Sequence, residues 1–163
     1  METRNTIKTL DADLRRIKYN AFTLAPILMS FYKECQIAKD NVLLAYLVFP
    51  ILYSEKWKNS NNIRINRNSR LEVWVLNDKM PLMGLNDRIS FFSKYTTIVL
   101  QYCFDQEWAI VDENNNFVVK KKDLKEETTS DMKLARNLNH LIQNMTVSQI
   151  YSTLGIGKLC IHE

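Results

Sequence analysis

Apolar positions recur at three- and four-residue spacing along much of the chain, the repeat of helices with one buried face. Ile7, Leu10, Leu14 and Ile17 keep that spacing among Arg4, Lys8, Arg15, Arg16 and Lys18, so residues 1–18 read as either a short amphipathic helix or a frayed terminus. Between Asn20 and Ala38, the residues Phe22, Leu24, Ile27, Leu28, Phe31, Tyr32 and Cys35 spread over a wide face and predict a helix covered on most sides. Pro26 fits its first turn if Thr23 is the N-cap; with Asn20 as the cap, a bend is expected. Asn41 is placed to cap a second helix through Val42 to Phe49, with a kink or break at Pro50.

Beyond Tyr53 the pattern turns polar and Asn-rich, and Lys56, Lys58, Arg64, Arg67 and Arg70 accompany Trp57 in what reads as an exposed loop. Leu71 to Leu76 predict a short helix. Asn86 or Asp87 can cap a helix through Ile89, Phe91 and Phe92, and Thr96 or Thr97 another through Ile98 to Phe104. Trp108 to Val111 and Phe117 to Lys120, flanking the polar turn Asp112-Glu113-Asn114-Asn115-Asn116, predict a β-hairpin. After the charged linker that starts at Lys120, Ser130 or Asp131 can cap a helix through Ile142, and Thr146 begins a last helix that Gly155 would close in a left-handed cap. The expected fold is mainly α (α+β), a helical domain with a winged-helix-like helix-helix-hairpin unit. The expected layout is an amphipathic segment at 1–18, one α-rich domain at 19–158 with its hairpin at 108–120, and a tail at 159–163.

Length and composition narrow the class without naming an activity. The chain has 163 residues, 46% hydrophobic and 25% charged, which suits one globular domain with its own core and argues against disorder or repeats. A net charge of +4 permits contact with nucleic acid or acidic partners without requiring it. Cys35, Cys103 and Cys160 are odd in number and form no C-x-x-C, so free thiols in the cytoplasm are the expectation, with neither disulfides nor zinc. The residues after Met1 carry mixed charges and no secretory signal pattern, and the longest apolar run, Val42 to Tyr53, is too short for the roughly 20 residues that span a membrane.

Candidate chemistry is sparse. Gly155-Ile156-Gly157-Lys158 imitates part of a phosphate-binding loop, yet Ser152 and Leu159 stand where the motif needs Gly and Ser or Thr. Asp112 with Asp123-Leu124-Lys125 can be written as the carboxylate and Lys set of a metal-dependent nuclease, although a solvated linker accounts for the same residues. His140 and His162 lack partners at metal-ligand spacing. No catalytic, cofactor-binding or metal-ligating residue is therefore assigned. Lys56, Lys58, Arg64, Arg67 and Arg70 are candidate nucleic-acid contacts, set against a plain solvated loop. Phe49, Tyr53 and Trp57 are candidate partner contacts, set against burial in the chain's own core.

The order of these elements carries a resemblance. Asn20-Ala21-Phe22 leading to Leu24 and Leu28, the run Tyr46-Leu47-Val48-Phe49-Pro50-Ile51-Leu52-Tyr53, Arg70-Leu71-x-x-Trp74, Lys133 and Arg136 before Leu138, and Ile150-Tyr151-Ser152-Thr153-Leu154-Gly155-Ile156 resemble the middle component of three-component ABC-ATPase systems over residues 19–158. Phe49 stands where Leu commonly precedes Pro, and Leu138-Asn139-His140 where an aromatic residue is usual. The resemblance implies a non-enzymatic, cofactor-free accessory subunit of prokaryotic antiviral or anti-plasmid systems, including the Lamassu type. Its implied partners are an SMC- or Rad50-like ABC ATPase and a nuclease-type effector, with DNA met through the complex and no membrane involved. The alternative is a winged-helix DNA-binding regulator, against which stand the acidic wing tip at Asp112 and Glu113 and a recognition helix without Arg.

Overall fold

The computed structural model describes residues 14, 15, 17–55, 57, 69–77, 82–120 and 129–156. The fold is mainly helical with one small antiparallel hairpin, as the apolar spacing predicts. Leu14, Arg15, Ile17 and Lys18 are helical; the rest of 1–18 before them lies outside the described residues. Helix α1 spans Ala21–Tyr32, and its cap is Asn20, whose Oδ1 accepts the Thr23 N–H at 2.9 Å. Thr23 therefore lies inside the first turn, and the helix stops at Tyr32 before reaching Ala38.

Asn41 does not cap the next helix. Residues Asn41–Leu44 form a 3-10 turn that runs directly into α2, Ala45–Leu52, which continues two residues past Pro50. The Pro50 carbonyl, one of the last-turn acceptors without an intrahelical donor, accepts from Arg88 Nε at 2.8 Å. Arg88 Nη1 also donates to the Met83 carbonyl at 2.7 Å, which ties the start of α4 to the end of α2.

Helix α3 spans Leu71–Asn77 and α4 spans Leu85–Asp105. Two separate helices were expected within the second range, and one helix of 21 residues stands there. Thr96, the expected second cap, is 0% exposed inside it, because Leu85, Ile89, Phe92, Thr96, Val99 and Cys103 form one unbroken stripe at four- and three-residue steps. Thr97 Oγ1 bonds back to the Ser93 carbonyl at 3.1 Å, as mid-helix hydroxyls do, in place of capping. Gly84, at φ 67°, starts the helix instead of Asn86 or Asp87. The winged-helix-like unit thus reduces to one helix followed by a hairpin.

Strands β1, Ala109–Val111, and β2, Phe117–Val119, form the predicted hairpin, with Ile110 opposite Val118. Helix α5 spans Ser130–Ile142 and is capped by Thr129, one residue before the expected positions. Helix α6 spans Val147–Thr153 behind a capping box of Thr146 and Gln149, and Gly155 closes it at φ 67° as expected. Helix α1 packs on α5 and α4, α4 packs on α2, and α3 packs on α6. Leu24, Leu28, Phe31, Val48, Phe49, Leu52 and Leu138 are fully buried between these layers. Each such side chain contributes about 1.5–3 kcal/mol.

The hairpin is held to the α1–α2 connection by polar groups. Asn41 Oδ1 accepts the Phe117 N–H at 2.7 Å and its Nδ2 donates to the Ile37 carbonyl at 2.9 Å, while Tyr32 donates its hydroxyl to the Asn41 carbonyl at 2.7 Å. Asn116 Nδ2 donates to the Ala38 carbonyl at 2.9 Å. Within the turn, Asp112 Oδ1 accepts the Asn114 and Asn116 N–H groups at 2.8 and 2.9 Å. These bonds, the one from Asn116 first, hold the Asp112 carboxyl below the usual carboxylate range.

Asn41→Ala orphans one buried N–H and one buried carbonyl, and is expected to cost about 2–4 kcal/mol in urea unfolding with an unchanged m-value. A loss under about 0.5 kcal/mol would show that the hairpin docks without it. For Asp112, the lowered folded pKa means its contribution is complete above the unfolded value near 4 and is lost as pH falls through the folded value. Asp112→Asn is therefore less stable than the parent at neutral pH, and the gap between the two closes on acidification. Urea midpoints at stepped pH values measure this, and a gap that does not change with pH contradicts it.

Candidate partner interface

Helix α4 carries two stripes. The residues one position before the core stripe, Phe91, Tyr95, Ile98 and Tyr102, repeat the same steps about 100° around the helix. That rotation brings them to the edge of the core and leaves Phe91 38% and Ile98 48% exposed. The aromatic surface extends beyond α4. Tyr19 sets its ring 6.0 Å from Phe91 and 5.6 Å from Tyr95, and Phe22, 73% exposed, lies 5.2 Å from Tyr102. Trp108 adds a ring 5.4 Å from Tyr102 at the hairpin end.

A second layer lies under this ridge. Tyr19 also meets Tyr53 at 5.5 Å and Phe92 at 5.2 Å, and Tyr53 stacks on Phe92 at 5.5 Å. Tyr53 donates its hydroxyl to Asp131 at 3.3 Å, and burial together with the Asp131 charge raises its pKa. It stays protonated at neutral pH. Cations rim the opposite end of the ridge from Trp108: the Arg15 guanidinium lies 6.0 Å from the Phe91 ring centre and the Lys18 amine 5.3 Å from that of Tyr19. With Leu14 they border an open cleft of about 420 Å³ whose floor is Tyr19 and Phe91.

The three aromatic residues singled out in the sequence fall at different depths. Phe49 is 0% and Trp57 1% exposed, both in the core, where Trp57 meets Trp74 edge-on at 5.1 Å. Tyr53 is half-buried beneath the ridge. Among the basic residues, Lys56, Lys58, Arg64 and Arg67 lie outside the described residues; Arg70 is exposed, beside Glu72 in a cleft between the start of α3 and the end of α5. Asp123 and Lys125 also lie outside, while Asp112 is engaged by its turn. His140 stands 3.6 Å from Glu34. Burial raises the Cys103 thiol to about 12, which keeps it protonated and unreactive at neutral pH. Among the described residues, no cluster of three or more His, Cys, Asp or Glu could hold a metal, and no helix is long and apolar enough to cross a membrane.

Phe22, Phe91, Tyr95, Ile98, Tyr102 and Trp108 were missed as surface residues. For the four on α4 the signal was present in the second 4-3 repeat, which merges with the core repeat when the helix is divided at Thr96; Phe22 and Trp108 carry no such local signal.

A mainly helical chain with an exposed aromatic ridge has the makings of a protein-contact subunit. A family model, ABC-three component (ABC-3C) system Middle Component 3, matches residues 10–158, and the chain belongs to that family. As the middle component of a three-component system it works with protein partners. No curated protein and no solved structure matches the chain.

The depth difference has a measurable consequence. Phe49→Ala is expected to cost about 3–5 kcal/mol of stability, whereas Phe22→Ser is expected to cost under about 1 kcal/mol. Equal losses in urea unfolding would mean that Phe22 belongs to the core.

Proposed function

We propose that this chain is a non-enzymatic accessory subunit that bridges an SMC- or Rad50-like ABC ATPase and a nuclease-type effector in a Lamassu-type antiviral or anti-plasmid system. It holds the effector inactive or positioned until the ATPase senses foreign nucleic acid. Residues 19–158 act as the accessory domain, with 1–18 and 159–163 flanking it, in the cytoplasm. The observation that carries the reading is the family match across residues 10–158, joined to an aromatic ridge of the kind that supplies contact hot spots. Two partners on one small subunit can be coupled if each prefers a different arrangement of it. Moving such an equilibrium from 1:99 to 99:1 takes about 5.5 kcal/mol of differential affinity.

Lys56, Lys58, Arg64, Arg67 and Arg70 supply a basic contact to DNA held by the assembled complex, in this reading. The DNA-binding regulator is less well supported. Gln101 is committed to Asp105 at 2.7 Å, and the hairpin turn is bonded to residues 38–42 rather than extended like a wing.

The test is co-expression of the tagged chain with the ATPase and the third component of its system. Recovery of a stable complex containing all three, with ATP hydrolysis and nucleic-acid cleavage absent from the purified chain alone, is the expected outcome. Turnover by the isolated chain, or failure to retain either component, would overturn the reading.

A further inference from the structure

We infer that the α4 ridge is a two-fold interface between two copies of this chain, with Ile98 on the axis. The inference goes beyond the bridging reading and specifies what covers the ridge. Its basis is a symmetry of spacing and charge along one helix face. Phe91, Tyr95, Ile98, Tyr102 and Asp105 follow one another at steps of four, three, four and three residues, the seam pattern of paired helices. Ile98 is seven residues from each end of that seam and is 48% exposed at its centre.

The charges at the two ends are opposite in sign. Arg15 and Lys18 lie over the Phe91 and Tyr19 rings at one end, with Lys94 exposed on the neighbouring turn. Among the described residues, Asp105, which also accepts from Gln101 at 2.7 Å, ends the seam at the other, with exposed Glu107 just beyond the helix; exposed Lys120, opposite Trp108 in the hairpin, offsets one of these two charges and leaves that end net negative. A face with one positive and one negative end is complementary to itself when a second copy is laid antiparallel across it. Such an isologous pairing closes on itself, so each contact is made twice.

In that arrangement Ile98 meets Ile98 of the second copy, and the position of Phe91 falls opposite Asp105. The cations over Phe91 then face the Asp105 carboxylate, about 21 Å from the matching contact at the other end of the seam. Asp87, one turn before Phe91, falls opposite a position beyond the end of α4, near exposed Glu107 of the second copy, a like-charge approach set against the cations Arg15, Lys18 and Lys94 at the same end. Phe22 and Trp108, which touch Tyr102, widen the apolar contact on either side of the seam.

Sedimentation equilibrium of the full chain alone, from about 1 to 100 µM, reads the proposal directly. The parent chain is expected to move from monomer to dimer over that range, and Ile98→Asp to remain monomeric with an unchanged urea midpoint. Asp105→Lys is expected to weaken dimerisation at least tenfold, and adding Arg15→Glu and Lys18→Glu to that variant is expected to recover most of the loss, because the residues that face position 105 of the second copy then carry the opposite charge. A parent chain that stays monomeric at 100 µM overturns the inference, as does a dimer indifferent to Ile98→Asp or a charge swap without recovery. If the chain is monomeric and Ile98→Asp instead releases the ATPase or the third component, the ridge belongs to that partner; the two-fold pairing is then wrong and the bridging reading stands.

Discussion

The unbroken length of α4 is the constraint on which the rest of the structure depends. Its core stripe supplies the surface against which α1 and α2 pack, and its C-terminal end delivers the chain to the hairpin. Ending the helix at Thr96 would sever the stripe between Phe92 and Val99 and detach the layer that buries Phe49. The same continuity places the second stripe at the core's edge. Core and ridge are thus two consequences of one 4-3 repeat, and a change that shortened α4 would remove both. Arg88 reinforces this arrangement by spending its donors on the open carbonyls of Pro50 and Met83, joining the helix start to its neighbour.

Polar groups in the interior divide into those that join elements and those that cost stability. Asn41 is buried, yet both ends of its amide are used, and the groups it satisfies are backbone atoms that neither α1 nor the hairpin can satisfy internally. Asn139 presents the opposite case: it is 1% exposed, and neither amide atom has a partner among the described residues. Thr96 Oγ1 is buried in the same condition. Each such group costs about 1–3 kcal/mol. The two Asn residues show why composition is a poor guide here, since the same side chain is a clamp in one place and a cost in another.

What the sequence made legible follows from the range of the forces involved. The hairpin, the Thr146 capping box and the Gly155 closure are decided by residues within a few positions of each other, and all three stand where local chemistry puts them. Asn41 looked like a helix cap because a cap is a local role for Asn. Its actual bonds reach Phe117, 76 residues away, and nothing near it in the chain signals that. Thr96 and Thr97 misled for a related reason: hydroxyls that can start a helix can also sit inside one when a tertiary stripe requires it. The candidate site was less legible than the fold. Apolar spacing marks that a residue is on a face, but whether that face is the middle of the core or its rim depends on helix rotation, which only packing fixes. Phe49 and Phe91 are both aromatic residues on amphipathic helices, and 0% against 38% exposure separates them.

A subunit that works by contact must leave part of its apolar surface uncovered, and that surface has to be held rigid to be recognised at low entropic cost. The ridge meets the second requirement through its under-layer: Tyr19 is wedged among four rings, and Tyr53 beneath it is fixed by stacking on Phe92 and by its bond to Asp131. Because Asp131 lies in the first turn of α5, Tyr53 joins the under-layer of the ridge to the helix that also packs on α1, so the rings that carry the ridge are anchored to two elements of the core rather than to one.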